Sequence, residues 1–225
     1  MISAQRSTAT AETLSAKQRA IPLIAAAMAN GDMAQLNAVL NQGLDAGLTI
    51  SEAKEILVQL YAYTGFPRSL NALGELKDVL NARQHRGILD EPGSEPSHPV
   101  PTGEALLAAG MANQSRISGG IVKGPVFDFA PVINQFLQAH LFGDIFERDN
   151  LDWPSRELAT VGALAAMSGV EPQLRSHVAA SIRVGLTANQ LKQLTQVLAA
   201  HGDASAAHRL SQALSQYLSD SAGRE

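Results

Sequence analysis

His177, Glu157 and Arg156 are the residues of this sequence best suited to proton transfer on a small anion. An imidazole exchanges protons near neutrality. His177 stands one helical turn after Gln173, beside an apolar stripe of Leu174, Val178 and Ile182, where a pocket wall would lie. Glu157 follows Arg156 in the first turn of another expected helix, where the helix dipole already favours a carboxylate. An arginine fork can hold a carboxylate at two points. Each has a plainer alternative: a hydrogen-bonded structural histidine, a dipole-stabilised glutamate, and an arginine paired with Glu157 or Asp152. The chain has no cysteine, so thiolate nucleophiles, disulfides and sulfur-ligated zinc or iron–sulfur sites are excluded.

A second tier could line a substrate pocket: Glu55, Tyr61, Tyr63 and His140. The two tyrosines are two residues apart and face different directions on a helix, so one at most would reach a shared pocket. His140 could close a site or pack beside Phe142 and Phe146. Glu52 is accounted for as part of a helix cap. His201, Asp203 and His208 lack helical ligand spacing and a further ligand, so no metal is expected. The glycine-rich GGIVKG at 119–124 lacks the Gly-Lys-Ser/Thr ending of a phosphate loop and reads as a turn. Asn113-Gln-Ser115 fits a glycosylation sequon, but no export signal accompanies it.

The elements that must position these groups are helices. Among 225 residues, hydrophobic types make up 45% and aromatic types only 4%, with Ala and Leu abundant, which favours an all-α fold over sheets. Net charge is −4 without a basic cluster, so no nucleic-acid partner is expected. The first residues lack the apolar run of a signal peptide, and no stretch reaches the roughly 20 apolar residues of a membrane span. No membrane partner and a cytoplasmic location are expected.

Residues 1–13 read as a flexible arm. Helical patterning begins near Ser15. Prolines at 92, 96, 99 and 101 with Gly87, Gly93 and Gly103 mark 83–130 as a linker with one short helix at Ala105–Met111. On either side lie two related units, 14–82 and 131–218, before a tail at 219–225. Residues 35–62 align without a gap on 173–200, sharing Gln-Leu at the start and a Gly-Leu-Thr triplet. Gly47 and Gly185 suit the left-handed end of one helix, and Thr49 and Thr187 the N-cap of the next. Glu52 and Gln190, three residues on, complete capping boxes. Upstream, Arg19 opens RAIPLIAAAMANG as Arg156 opens RELATVGALAAMSG. Pro22 falls late for a helix capped at Ser15, so a kink or later start is expected there.

The run 139–187, AHLFGDIFERDNLDWPSRELATVGALAAMSGVEPQLRSHVAASIRVGLT, and the segment 47–73 resemble the carboxymuconolactone decarboxylase family of AhpD-like helical proteins. The resemblance implies an AhpD-like fold with two pseudo-repeats and assembly into a homo-oligomer. It also implies a cofactor-free carboxy-lyase acting on a small anionic lactone or keto acid in aromatic-compound catabolism. The thiol-peroxidase branch resembles a Cys-x-x-Cys pattern ahead of the histidine; aligned on His177, those positions hold Val170 and Gln173. The family's upstream glutamate falls on Glu157. In the first unit Ala20 and Val39 occupy the Glu157 and His177 positions, so one composite site per chain or per subunit contact is expected. There His177 would stabilise or protonate a dienolate, Glu157 would assist and Arg156 would hold the carboxylate. The alternative is a non-catalytic ligand-binding or scaffold member.

Overall fold

The computed structural model describes residues 13–223, and within them the fold is all-α. The flexible-arm expectation for 1–13 lies almost wholly outside the described residues. The first unit comprises α1 (Ala16–Asn30), α2 (Met33–Asp45), α3 (Ile50–Gln59), α4 (Tyr61–Thr64) and α5 (Phe66–His85). Two helices pack at the centre of the molecule, one from each unit. The second unit's central helix, α9, runs from Trp153 to Ala166, and α10 (Glu171–Arg183), α11 (Ala188–Ala200) and α12 (Ala204–Ala222) follow it.

Helix α1 begins at Ala16 under a complete Ser15–Gln18 capping box, so Pro22 delays nothing and stands inside the helix. The proline is met by Gly162 of α9: a Cβ there would lie 2.6 Å from the Pro22 backbone. Only a hydrogen side chain lets the two central helices approach this closely. Ala20 to Ala29 of α1 and Ser155 to Ala165 of α9 are buried, and small residues dominate both.

The two corners repeat the same chemistry. Residues 46–49 and 184–187 reverse the chain, with Gly47 and Gly185 at φ 89° and 108°. Thr49 and Thr187 each cap the next helix in a full capping box, contributing about 1 kcal/mol apiece. Helix α12 continues through 219–222, where Ser219 and Ser221 bond back to carbonyls one turn earlier.

Between the units the chain first forms a strap. Ile50 and Ser51 donate backbone N–H to the carbonyls of Glu91 and Pro92, and Arg83 is buried against Asp90 and Asp45. Then α6 runs over Gly103–Ser118, longer than its Ala105–Met111 signal. It pairs with a π-helix at Leu137–Ile145, reached through the short α7 (Pro125–Phe129) and α8 (Pro131–Phe136). Gly110 makes the pairing possible, since a Cβ there would sit 1.8 Å from the Gln138 carbonyl oxygen. Asn113, the sequon residue, donates to the Phe142 carbonyl and to Glu147. Ile117, Leu141, Phe142, Ile145 and Phe146 close a second, smaller core on Ala180 of α10, with Tyr61 and Tyr63 at its edge. No helix among the described residues is long and apolar enough to cross a membrane.

Candidate active site

The candidate site grows from the first turn of α9. Asp152 caps that turn by accepting from the Ser155 N–H at 2.7 Å. Arg156 and Glu157 follow, and both side chains are fully buried.

Arg156 points toward the first unit. It donates Nη1–H to Gln59 Oε1 at 2.9 Å and Nη2–H to Glu55 Oε1 at 3.0 Å, and also to the Arg148 carbonyl. Gln59 returns Nε2–H bonds to the Arg156 carbonyl and to Thr160 Oγ1. Glu55 and Gln59 are one turn apart on α3, as Arg156 and Thr160 are on α9, so the two helices interlock turn against turn. Glu55, 1% exposed, also accepts from Arg148 at 2.9–3.0 Å and from Asn150 at 3.2 Å. Burial lowers the Arg156 pKa, and the adjacent Glu55 charge opposes that fall.

This corrects two expectations. The Arg156 guanidinium has no solvent exposure and is bonded to Glu55, Gln59 and Arg148, so it has no free two-point face for a substrate carboxylate. Its partner is neither Glu157 nor Asp152. Glu55 for its part is occupied as the counter-charge of two arginines. A buried cation must be paired, and the pairing comes from the other unit.

Glu157 points the opposite way. Its Oε2 lies 2.8 Å from His177 Nδ1 on α10. The Glu157 side chain is sealed, whereas that of His177 keeps 15% of its surface. With Nδ1–H directed at the carboxylate, the neutral imidazole carries its lone pair on Nε2, and the carboxylate steadies the ring when Nε2 takes a proton. The Tyr63 ring meets the His177 ring edge-on, centroids 5.5 Å apart. Tyr63 is half-buried as a residue, but its hydroxyl has no solvent access. Burial raises its pKa, and the Glu157 charge raises it further; Thr160 and Arg156 offset part of this. Tyr63 therefore remains a neutral phenol and a potential donor.

Three polar atoms of this cluster, Tyr63 Oη, Glu157 Oε1 and Arg156 Nε, are buried without a well-formed hydrogen bond. Buried polar atoms are ordinarily paired, and two of these three belong to side chains that touch His177, Glu157 and Tyr63. Open grooves lie elsewhere, between α10 and α12 and beside Trp153, and neither is lined by His177, Glu157 or Tyr63.

Tyr61 and His140 stand apart from the cluster. Tyr61 stacks on Phe66 with centroids 4.2 Å apart. His140 packs its ring 5.5 Å from Tyr61 and pairs with Asp144 at 2.6 Å, nearly half exposed. It does not pack beside Phe142 and Phe146 as expected, because the π-helix turns it outward. The tyrosines diverge as their spacing implies. Glu52 completes its cap and binds Lys17. Asp203 is the N-cap of α12, and His201 bonds its own helix.

Gln59, Thr160, Arg148 and Asn150 went unnoticed in the sequence. For the first two there was a signal: matched polar residues one turn apart on apolar helices. Arg148 and Asn150 lie in an irregular stretch and gave none.

A family model described as "Carboxymuconolactone decarboxylase family" matches residues 3–78 and 131–216. No curated protein matches the chain.

Proposed function

Since the chain belongs to the carboxymuconolactone decarboxylase family, we propose that it is a cofactor-free carboxy-lyase with one composite acid–base site per chain. Its substrate would be a small anionic lactone or related keto acid from aromatic-compound breakdown. The observation that carries this reading is the Glu157–His177 pair at 2.8 Å, with Tyr63 of the other unit against the imidazole.

In the proposed reaction the bond from ring carbon to carboxylate breaks and CO2 leaves. The electron pair passes into the conjugated lactone as a dienolate, so the substrate is its own electron sink. The imidazolium of His177 donates its Nε2 proton to the carbon left behind, and a proton from water restores it. Glu157 stabilises the imidazolium and holds the ring in place. The neutral Tyr63 hydroxyl suits a developing oxyanion. Arg156 is reassigned as a positioning residue: bonded to Glu55 and Gln59, it fixes the turn from which Glu157 projects.

One observation favours a second reading, a ligand-binding or scaffold member without chemistry: Glu157 is sealed, and the open grooves beside α12 and Trp153 do not reach His177. Turnover of 4-carboxymuconolactone, followed by loss of its ultraviolet absorbance and release of CO2, separates the two. The lyase reading expects His177→Ala and Glu157→Gln each to lower kcat by about 10²-fold or more. Wild-type-like turnover in both variants sinks the assignment. A saturable thermal shift with no turnover by the wild-type protein would favour the binding reading.

A further inference from the structure

Helices α3 and α5 pack on each other and leave an apolar furrow at the surface of the first unit. Along α5 it is floored by Leu73, Leu76 and Leu80, which share one helical stripe. Ile50 and, one turn later on α3, Lys54 form the facing wall. Two cavities of about 290 and 230 Å³ have Leu80 and Asn81 in common, so the furrow is continuous. Together they fall within the size of small-molecule sites, roughly 300–1,000 Å³. The strap closes the far end. The buried Arg83 accepts from the Ile88 N–H through its carbonyl and binds Asp90 at 2.8–3.0 Å through its guanidinium. Ile88 and Leu89 are thereby fixed at the furrow's end, although Leu89 is 89% exposed.

We propose that this furrow binds a free straight-chain carboxylate of about eight carbons, its head between Lys54 and Lys77 and its tail over Leu80 toward Ile50 and Leu89. Charge selects the head group. Lys54 and Lys77 line the same end, and neither pairs with a carboxylate among the described residues. The acid that lines the other end, Asp90, is taken by Arg83. Shape selects the tail. Among the described residues no aromatic ring lines the furrow, so it offers a planar ring nothing to stack on, and its aliphatic walls suit an alkyl chain. From Lys77 to Gln84 the axis of α5 rises about 10 Å, which an extended chain with C–C bonds of about 1.5 Å spans in about eight carbons. A partner's helix is about 10–12 Å across, too wide to sink between two helices whose packed axes stand about 8–10 Å apart.

The furrow is separate from the acid–base pair. Helix α3 turns Glu55 inward to Arg156 and the adjacent, exposed Lys54 outward to the furrow. Binding there is therefore expected whether or not His177 is catalytic.

Isothermal titration calorimetry of the full chain with butanoate, hexanoate, octanoate and dodecanoate, below micelle-forming concentrations, tests this. Affinity is expected to rise about two- to fourfold per methylene up to about eight carbons and then level off. Lys54→Gln/Lys77→Gln should weaken octanoate about tenfold and leave octanol within about twofold. Leu89→Ser should weaken octanoate about threefold and leave butanoate unchanged. His177→Ala should alter neither, which separates this site from the proposed active site. Both lysines and Leu89 are exposed, so these variants should keep the wild-type circular dichroism; if the lysine pair loses helicity, Leu89→Ser decides alone. No saturable octanoate binding, an affinity flat across the series, equal losses of acid and alcohol in the lysine variant, or a loss on His177→Ala would each overturn the proposal. So would a lower particle mass for Leu89→Ser, which would make the furrow a contact between chains.

Discussion

Replacing Glu55 by Gln keeps the shape of the side chain and removes one charge from the junction of the two units. Its energetic cost follows from the unequal exposure of its partners. Arg148 keeps 35% of its side-chain surface and can turn its guanidinium to water. Arg156 keeps none and would remain a buried cation beside two neutral amides, that of Gln59 and the one introduced by the substitution. Breaking a buried pair by removing one partner costs about 3–5 kcal/mol. In a chain of this length each kcal/mol corresponds to roughly 2–4 °C in Tm, so Glu55→Gln should melt roughly 6–20 °C below the wild type. Arg148→Met, which leaves the Glu55–Arg156 pair intact, should cost about 1 kcal/mol or less. Glu55→Leu/Arg156→Met, which removes both buried charges, should recover much of the Glu55→Gln loss. Thermal and urea unfolding at neutral pH measure all three. A loss under about 1 kcal/mol for Glu55→Gln, or an Arg148→Met loss equal to it, would refute the claim that burial of Arg156 sets the cost.

One further substitution probes the close approach of the central helices, and a second, on α5, is its control. Gly162→Ala forces a methyl to 2.6 Å from the Pro22 backbone and should destabilise by about 1–3 kcal/mol or more. Gly74→Ala on α5 meets nothing within 4 Å and should stabilise by about 0.5–1 kcal/mol; urea midpoints compare them. Glu52 gives a pH signature. Burial raises its pKa, but hydrogen bonds from Lys17 and Thr49 outweigh that, and the net shift is below its usual 4.5. A depressed carboxylate contributes stability above its unfolded pKa and loses it as pH falls through the folded value. The Tm gap between wild type and Glu52→Gln should therefore be constant above about pH 5.5 and shrink below about pH 4.5. A gap that widens in acid would reverse the sign of the argument.

The sequence made the corners legible because their chemistry is local. A glycine that must turn left-handed and a threonine that must cap lie within three residues of each other, and they occur twice. The Glu157–His177 pair was legible only through the resemblance, since twenty residues and a helix change separate the two. The partner of Arg156 was not legible. Glu55 is 101 positions away, on a helix whose own pattern is satisfied by an exposed glutamate. The full length of α6 was hidden for a related reason. Asn113 and Gln114 look like helix-ending polar residues, but they bond to the π-helix and to Asn134 across the hairpin, and that partner is tertiary.

The pseudo-symmetry supplies its own control on what the paired arginines mean. Arg19 and Arg156 hold the same place at the start of RAIP and RELA, yet Arg19 is exposed and Arg156 is fully buried. The difference lies in the helix each one faces. Where the first unit offers Glu55 and Gln59 to α9, the matching positions of α11 are Gln193 and Val197, and Gln193 accepts from the Leu14 N–H instead. Without a carboxylate to receive it, the first arginine stays in water, because a buried unpaired cation would cost more than the rest of the contact returns. Ala20 and Val39, at the positions that match the acid and the histidine, are 4% and 2% exposed and belong to the core. The burial of Arg156 and the exposure of Arg19 thus follow from the same difference, a carboxylate at Glu55 where the matching position holds Gln193.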